Sequence, residues 1–558
     1  MKKLISILFA VVLAASILFA GCEGGDNPTQ PSNQTQAPGE STAAPTGERP
    51  VIKVGRLQNI NVIDYDNNAL TNYIEEVTGC DMQFQFFSSR VDDAKTQISA
   101  RIAGGEQLPD ILMSIALGSS VYTQYGREGY FVDLSEYFED EEKSANFWNM
   151  LRSNFDQSFQ DTVIRTMTDP ETGAIYGFPI IEESIVDTMD FAPYINRVWL
   201  DKLGLKAPTN IDELYDVLVA FRDLDPNGNG QKDEIPLIGY EGVSNSYVVE
   251  WIINMYMYYN RNRMWNVDEN GQLYLCAATK EYREALTFMN KLVKEGLLSQ
   301  SSWTNSQTAM QGITTPADGV AKAGIFLGHL TLHVELDNEV LYEYEPLPFW
   351  GNVTRRDNTI SVNTFITKDC EDPSAAFDFI MHFYTKDMAI RGRYGEKGVN
   401  WVDADPGTYS YVGKPAEINV INDVFGHPTS AHWNSVPVTI NMNAENEVSQ
   451  FDDTLNEWQY YKRDIFSKQI KNFQEAEAKT VDISSGPLIL TEDEKATTDM
   501  IRSNCGTFIA NQRTYFIQGS QDVTNDNTWN AYLEKLNEYG IETYRILCQG
   551  VYDRQNAK

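Results

Sequence analysis

From Val51 onward the chain switches repeatedly between a two-residue and a three-to-four-residue hydrophobic period, and this limits the fold more than any other feature. Residues 51–55 alternate as a half-buried strand does, and 68–76 read as a helix closed by Gly79. Residues 82–86 alternate again, 92–103 form a second helix stopped by Gly104 and Gly105, and 109–113 a third strand. Strand–helix–strand–helix–strand is a βαβ series and implies a largely parallel sheet, because parallel neighbours need a crossover between them. Ligands of such sheets bind beyond the carboxyl ends of strands, which points to the loop at 113–120. Later segments continue the theme. Helices are expected at 212–222 behind a Thr209 or Asn210 cap, at 281–296, at 373–385 with Pro373 in the first turn, and at 529–539 ending at Gly540. A buried strand is expected at 323–327, and the C-terminal third is richer in long helices.

The amino terminus reads as an address. Lys2 and Lys3 precede an apolar run over 4–18, the length of a signal peptide and short for a membrane span. The run ends in Phe19, Ala20, Gly21 and Cys22. Small residues before a cysteine resemble the bacterial lipobox, in which a diacylglyceryl group joins the thiol and the chain is cut before it. The place three before the cysteine usually holds Leu; here it holds Phe19, with Leu18 one step earlier. Residues 1–21 are therefore expected to be a lipoprotein signal peptide, and Cys22 the acylated (palmitate-type) anchor to the outer face of a bacterial cell membrane. Residues 22–50 are Gly, Pro, Ser, Thr, Asn and Gln with almost no large apolar residue, and read as a disordered tether several nanometres in reach. No later stretch reaches 18 consecutive apolar residues.

Charge and cysteines exclude other classes. With 44 Lys+Arg and 79 Asp+Glu the formal charge is −35, and loss of Lys2 and Lys3 takes it to −37. A nucleic-acid binder needs a basic face to displace counterions, and a polybasic lipid-binding surface is equally absent. Cys80, Cys276, Cys370, Cys505 and Cys548 are scattered, without C-x-x-C spacing, so no zinc or redox motif is supported; their disulfide status stays open. His329 and His333 are four apart but lack the Glu of a zincin. No G-x-S-x-G, Walker loop or Rossmann fingerprint occurs.

The sharpest local motif is Asp225 to Glu234. It places oxygens at Asp225, Asn227, Asn229, Asp233 and Glu234, with Gly230 at the tight turn and the Gln231 carbonyl also within the loop. This is the calcium-loop spacing D-x-[DN]-x-[DN]-G. It departs at the twelfth position, Pro236, so Glu234, alone or with Asp233, has to replace the usual bidentate Glu. A structural Ca²⁺ that pins the loop is expected; the competing reading is a polar Asn/Gly turn.

The lipobox, the tether, the βαβ opening and this loop together resemble the lipoprotein branch of the extracellular solute-binding proteins, family 1, the capture subunits of sugar-type ABC importers. Further segments are similar to the same family: 175–179 to its hinge strand, 194–205 with Pro208 and Thr209 to its next helix and turn, 394–401 to its paired-Gly loop, and 516–519 with 529–540 to its closing helices. The resemblance implies a periplasmic-binding-protein-like α/β fold of two lobes, a multi-strand hinge and a helix-rich C-terminal part. It implies lobe one at 51–180 plus 330–386 and lobe two at 181–329 plus 387–558. It also implies a monomer without enzymatic activity that closes on a carbohydrate and presents it to the membrane permease.

A sugar needs aromatic platforms for its C–H face and polar edges for its hydroxyls. Trp303, Trp350, Trp401 and Trp433 stand beside polar residues in expected loops; Trp251 lies in an apolar helical run where core packing competes. Asp110 of the third strand sits where the family's cleft opens, with a strand cap as the competing role, and Arg197 can reach a ligand oxygen or pair with a carboxylate. The alternatives are a secreted glycoside hydrolase or lyase, which needs two carboxylates across a sugar, and a glycan-binding surface lipoprotein without transport.

Overall fold

The computed structural model describes residues 49–182, 189–240, 246–305, 307–328, 339–355, 360–410, 413–424, 427–434, 440–441, 448–450, 457–486 and 488–556. The signal-type segment, Cys22, His329 and His333 lie outside the described residues. The strands in chain order are β1 (Val51–Leu57), β2 (Asp81–Phe87), β3 (Ile111–Leu112), β4 (Phe178–Glu182), β5 (Pro193–Asn196), β6 (Ile235–Ile238) and β7 (Trp265–Val267). They continue with β8 (Leu273–Leu275), β9 (Ala323–Leu327), β10 (Tyr344–Pro346), β11 (Ile360–Ile366), β12 (Trp401–Asp403), β13 (Ile418–Val420) and β14 (Ile440–Asn441).

The first sheet has the order β14-β4-β11-β3-β1-β2. Its opening follows the sequence pattern. β1 pairs in parallel with both β2 and β3, and the crossovers are the helices Ala69–Thr78 and Val91–Gly104. The Asn68 side chain accepts the Leu70 amide at the start of the first helix, and Gly79 ends it at φ +69°, a conformation that only glycine adopts without cost. The sheet is nevertheless mixed. β11, arriving from the far side of the molecule, inserts antiparallel between β3 and β4.

The second sheet has the order β10-β5-β9-β6, with β6 and β9 parallel and the other pairs antiparallel. Two hairpins, β7–β8 and β12–β13, stand apart. Around this sheet pack Ile211–Asp223, capped by Asn210, and Lys280–Lys294, capped by Thr279. The latter buries Tyr282, Leu286, Met289 and Val293, one helical stripe at three-to-four-residue spacing. The helices Glu492–Gln518, Asp526–Glu538 and Ile541–Asn556 complete the helix-rich C-terminal part. No helix among the described residues is long and apolar enough to cross a membrane.

Two large hydrophobic cores result. The first joins Ile52 through Ile181 with Val362 through Met388 and Trp433. The second joins Met189 through Val353 with Ile465 through Val551. Residues 340–353 therefore pack with the second core, through Val340, Leu341, Tyr344, Leu347 and Val353, although the sequence division drawn at 330 groups them with the first. A small third cluster sits around β12 and β13. Core membership switches from the first to the second core between Ile181 and Met189, back between Val353 and Val362, and again between Trp433 and Ile465.

Close approach of β9 to the helix Ile211–Asp223 depends on Gly324. A Cβ there would stand 2.3 Å from the Phe221 ring and 2.9 Å from the Pro236 carbonyl oxygen. Both neighbours are fixed, Phe221 by complete burial and Pro236 by β6. Gly324→Ala is expected to destabilise the protein by about 2–3 kcal/mol through overpacking. Chemical denaturation reads the effect; a midpoint equal to the wild type would show that the approach is looser than this.

Candidate functional site

The carboxyl end of β3 feeds the loop that the sequence marks as ligand-facing. Ser114 takes a left-handed φ of +56°, its amide donates to Thr364 Oγ1 at 3.0 Å, and the Ile115 amide donates to the Asn363 carbonyl at 2.7 Å. These bonds tie the loop to β11. After Gly118 at φ +90° the helix Ser119–Arg127 begins.

Ser119 and Ser120 then form one wall of a groove of about 370 Å³, together with Arg127, Thr168 and Asp169. The opposite wall comes from the C-terminal helices: Lys495, Asp499, Arg502 and Tyr544, with Leu488 and Leu490 at the floor. The groove is thus walled by elements of both large cores. Such a cleft can bind a ligand only while both sides hold position, and it changes shape when they move.

Each wall is braced. Asp169 is buried, accepts the Thr172 hydroxyl at 2.8 Å and the Glu171 amide at 3.1 Å, and lies 3.5 Å from Arg127 Nε. Arg127 also pairs with Glu171. The Tyr122 hydroxyl donates to the Thr166 carbonyl, and burial beside the Asp169 charge raises its pKa. Across the groove, Thr491 and Glu494 form a reciprocal capping box at the start of Glu492–Gln518. Arg554 of the last helix grips Glu494 with two bonds of 2.9 and 3.0 Å.

None of the tryptophans singled out from sequence lines this groove. Trp251, Trp401 and Trp433 are buried, and each ring is occupied by packing. Trp433 Nε1 donates to Thr71 at 2.9 Å, and the Arg56 guanidinium lies 4.5 Å from its ring. Trp401 Nε1 donates to the Gly395 carbonyl at 2.9 Å, which closes the paired-Gly loop on itself. Trp251 meets the half-buried Trp350 edge-on at 6.1 Å, and Trp303 packs half-buried on the second core. Asp110 lies at the amino end of β3, opposite to the ligand-facing edge. Its Oδ2 accepts the Lys53 amide at 2.8 Å, so it takes the strand-cap role. Arg197 is exposed on a surface helix and donates to the Tyr342 carbonyl at 3.3 Å.

The calcium-type loop follows the helix Ile211–Asp223 and leads into β6. Asp225 accepts the Gly228 and Gly230 amides at 3.0 and 3.1 Å. Asn227 and Asn229 accept backbone amides through Oδ1 and direct Nδ2 at Asp233 Oδ1, at 3.1 and 3.0 Å. Glu234 Oε1 is buried with no hydrogen-bond partner. Burial first, then repulsion from Asp225 and Asp233, raises its carboxyl pKa. Among the described residues no three His, Cys, Asp or Glu side chains converge as a metal cluster on their own.

A cleft walled from two α/β cores, with a chain that crosses between them repeatedly, defines a hinged ligand-binding protein. The chain belongs to the bacterial extracellular solute-binding protein family, whose model matches residues 65–390, more than half of its 558 residues. Members of this family are non-enzymatic components of transporters. The fructooligosaccharide ABC transporter substrate-binding protein FusA of Streptococcus pneumoniae is 21% identical over 575 aligned positions, 98% of each chain. The structure of FusA in complex with kestose matches with a TM-score of 0.67 at 19% identity, covering 91% of this chain and 99% of that one. An HMO-binding solute-binding protein from Bifidobacterium longum infantis matches at 0.70 and 19%, over 92% and 100%. Calcium-type sites occur among these similar structures. One is an EF-hand mutant of FusA, and another is the alginate-binding protein AlgQ2 without calcium ion, at TM-score 0.60 and 19% identity over 91% and 99%.

The Glu494–Arg554 clamp carries a pH signature. Arg554 holds the Glu494 carboxyl below its ordinary value of 4.5. A depressed carboxyl pKa stabilises the fold above the unfolded-state value and loses that contribution as pH falls through the folded value. Arg554 is about half exposed, so the pair contributes only about 0.5–1 kcal/mol. Arg554→Ala is expected to be less stable than the wild type by that amount at pH 7. The two unfolding curves should converge once Glu494 is protonated; a difference that persists into acid would place the effect elsewhere.

Proposed function

We propose that this chain is the substrate-binding subunit of an ABC importer for oligosaccharides, anchored by lipid on Cys22 and acting as a monomer. The observation that carries this reading is the groove walled from both cores, on the fold of a family that captures solutes. FusA, similar over almost the whole chain, is a fructooligosaccharide-binding protein, and its structure holds kestose. Lobe one would be built on the first core and lobe two on the second. Their three connections act as the hinge, and the closed form presents the sugar to the permease. Closure is driven by the ligand's higher affinity for the closed state. The signal-type run, the small residues before Cys22 and the polar stretch after it support secretion followed by acylation.

Asp225, Asn227, Asn229, Gln231, Asp233 and Glu234 are proposed to hold a structural Ca²⁺. The residues fit the ion: three carboxylates, two amide oxygens and one carbonyl belong to one ten-residue loop, and the orphaned Glu234 oxygen asks for a cation. Repulsion among Asp225, Asp233 and Glu234 is the cost that a divalent cation removes. Bound there, it fixes the lead into β6 and hence the edge of the second sheet.

Two outcomes are expected. At least one of a panel of neutral and acidic oligosaccharides that includes kestose should raise the melting temperature by several degrees, and the sugar should be recovered intact; cleaved sugar, or no shift with any oligosaccharide, would overturn the reading. Exhaustive chelation should lower stability by about 2–4 kcal/mol, with recovery on Ca²⁺ addition and no such response in Asp225→Ala. A chelated protein that melts as before would refute a resident calcium.

A further inference from the structure

Beside the groove lies a cavity of about 530 Å³ that shares Leu488, Leu490, Arg502 and Tyr544 with it. Its charges are one-sided. Arg261, Arg263, Arg502 and Arg513 line it, and Glu250 is the only carboxylate among its described lining residues. The wall therefore carries a formal +3 in a chain whose net charge is −35.

Glu250, fully buried, pairs with Arg513 at 3.1 Å, and Asp499, outside the lining, pairs with Arg502 at 3.1 Å, so the nearby acids offset only part of this set. Arg261 stands over the Tyr247 ring at 3.5 Å, and its Nη1 is buried with no hydrogen-bond partner among the described residues. The arginines come from two chain segments, 261–263 and the helix Glu492–Gln518, so the positive charge is not one surface run. Tyr259, Trp265 and Leu488 supply apolar surface to the same wall. The volume lies in the range of small-ligand sites.

Guanidinium is the side chain that matches a carboxylate in a planar, two-bond fit, and apolar rings match the C–H face of a sugar. We propose that this cavity is a subsite for carboxylate-bearing sugar units, which makes the ligand an acidic oligosaccharide with one end in the cavity and the rest in the groove. The inference rests on the oligosaccharide-binding reading above and specifies its ligand class. The acidic exterior repels such a ligand at long range, so the arginine wall acts as the local attractor and its effect is weakened by salt.

Calorimetric titration of the mature chain, at one fixed calcium concentration, tests this with trigalacturonate, its fully methyl-esterified form and neutral kestose. Trigalacturonate should bind at least tenfold tighter than its ester, with affinity falling as salt rises. Arg261→Gln and Arg263→Gln should each lose about tenfold for trigalacturonate while leaving the ester unchanged. Unaltered melting curves of both variants would establish that they fold. Equal affinity for acid and ester, or variants without effect on trigalacturonate, would overturn the inference. Binding of kestose alone would overturn it and leave the proposed function standing. Failure of all three sugars to bind would overturn the inference, and the proposed function falls with it only if no oligosaccharide of the wider panel binds. A sulfated trisaccharide that binds as tightly as trigalacturonate would overturn the carboxylate assignment.

Discussion

The repeated passage of the chain between two hydrophobic cores governs what this protein can do. Core membership switches between Ile181 and Met189, between Val353 and Val362, and between Trp433 and Ile465, and the proposed lobes would move about these switches. The groove exists only because Ser119–Arg127 belongs to one core and Glu492–Gln518 to the other. Local braces tie each wall: Asp169 with Arg127 on one side, and Thr491, Glu494 and Arg554 on the other. In the proposed capture, braced walls would let a ligand select the closed form without reordering its own site.

The return of the C-terminal part to the first core depends on an unusual contact. Arg56, at the carboxyl end of β1, is almost completely buried between the rings of Tyr65 at 5.1 Å and Trp433 at 4.5 Å. Burial pulls its pKa down to about 10, and the Tyr65 side chain partly opposes that. A guanidinium shared by two aromatic faces is a recognised way to keep a buried charge tolerable. Here it joins β1 to a segment almost 380 residues later.

Much of the scaffold was legible in the sequence because it is written in local rules. The cap at Asn210 and the stops at Gly79 and Gly105 are where short-range hydrogen bonding and positive φ require them. Placement of β11 was not legible, since its antiparallel insertion between β3 and β4 is decided by pairing partners far away in sequence. The same holds for 340–353, whose core membership is set by β10 pairing with β5. Three of the singled-out tryptophans, Trp251, Trp401 and Trp433, are taken up by packing. A Trp beside Asn or His reads as amphipathic, yet Trp433 satisfies its N–H on Thr71 inside the core and needs no solvent. Of the two roles open to Asp110, the structure shows the cap: it precedes the two-residue β3 and accepts the Lys53 amide. The C-terminal wall of the groove had no local signature at all: Lys495, Asp499 and Arg502 form a helix face like any other until the fold sets it opposite Ser119. The described cysteines are unbridged; Cys276, Cys370 and Cys548 have their thiol pKa pushed up to about 12, 11 and 11 by burial and sit as packing residues.

The proposed hinged capture requires a change of shape when the cleft fills. Small-angle X-ray scattering of the mature chain, with and without saturating oligosaccharide, measures that directly. Closure of two lobes about the three connections predicts a smaller radius of gyration and a shorter maximum dimension on binding. A bound protein whose scattering curve superposes on that of the free protein would contradict a hinged capture mechanism.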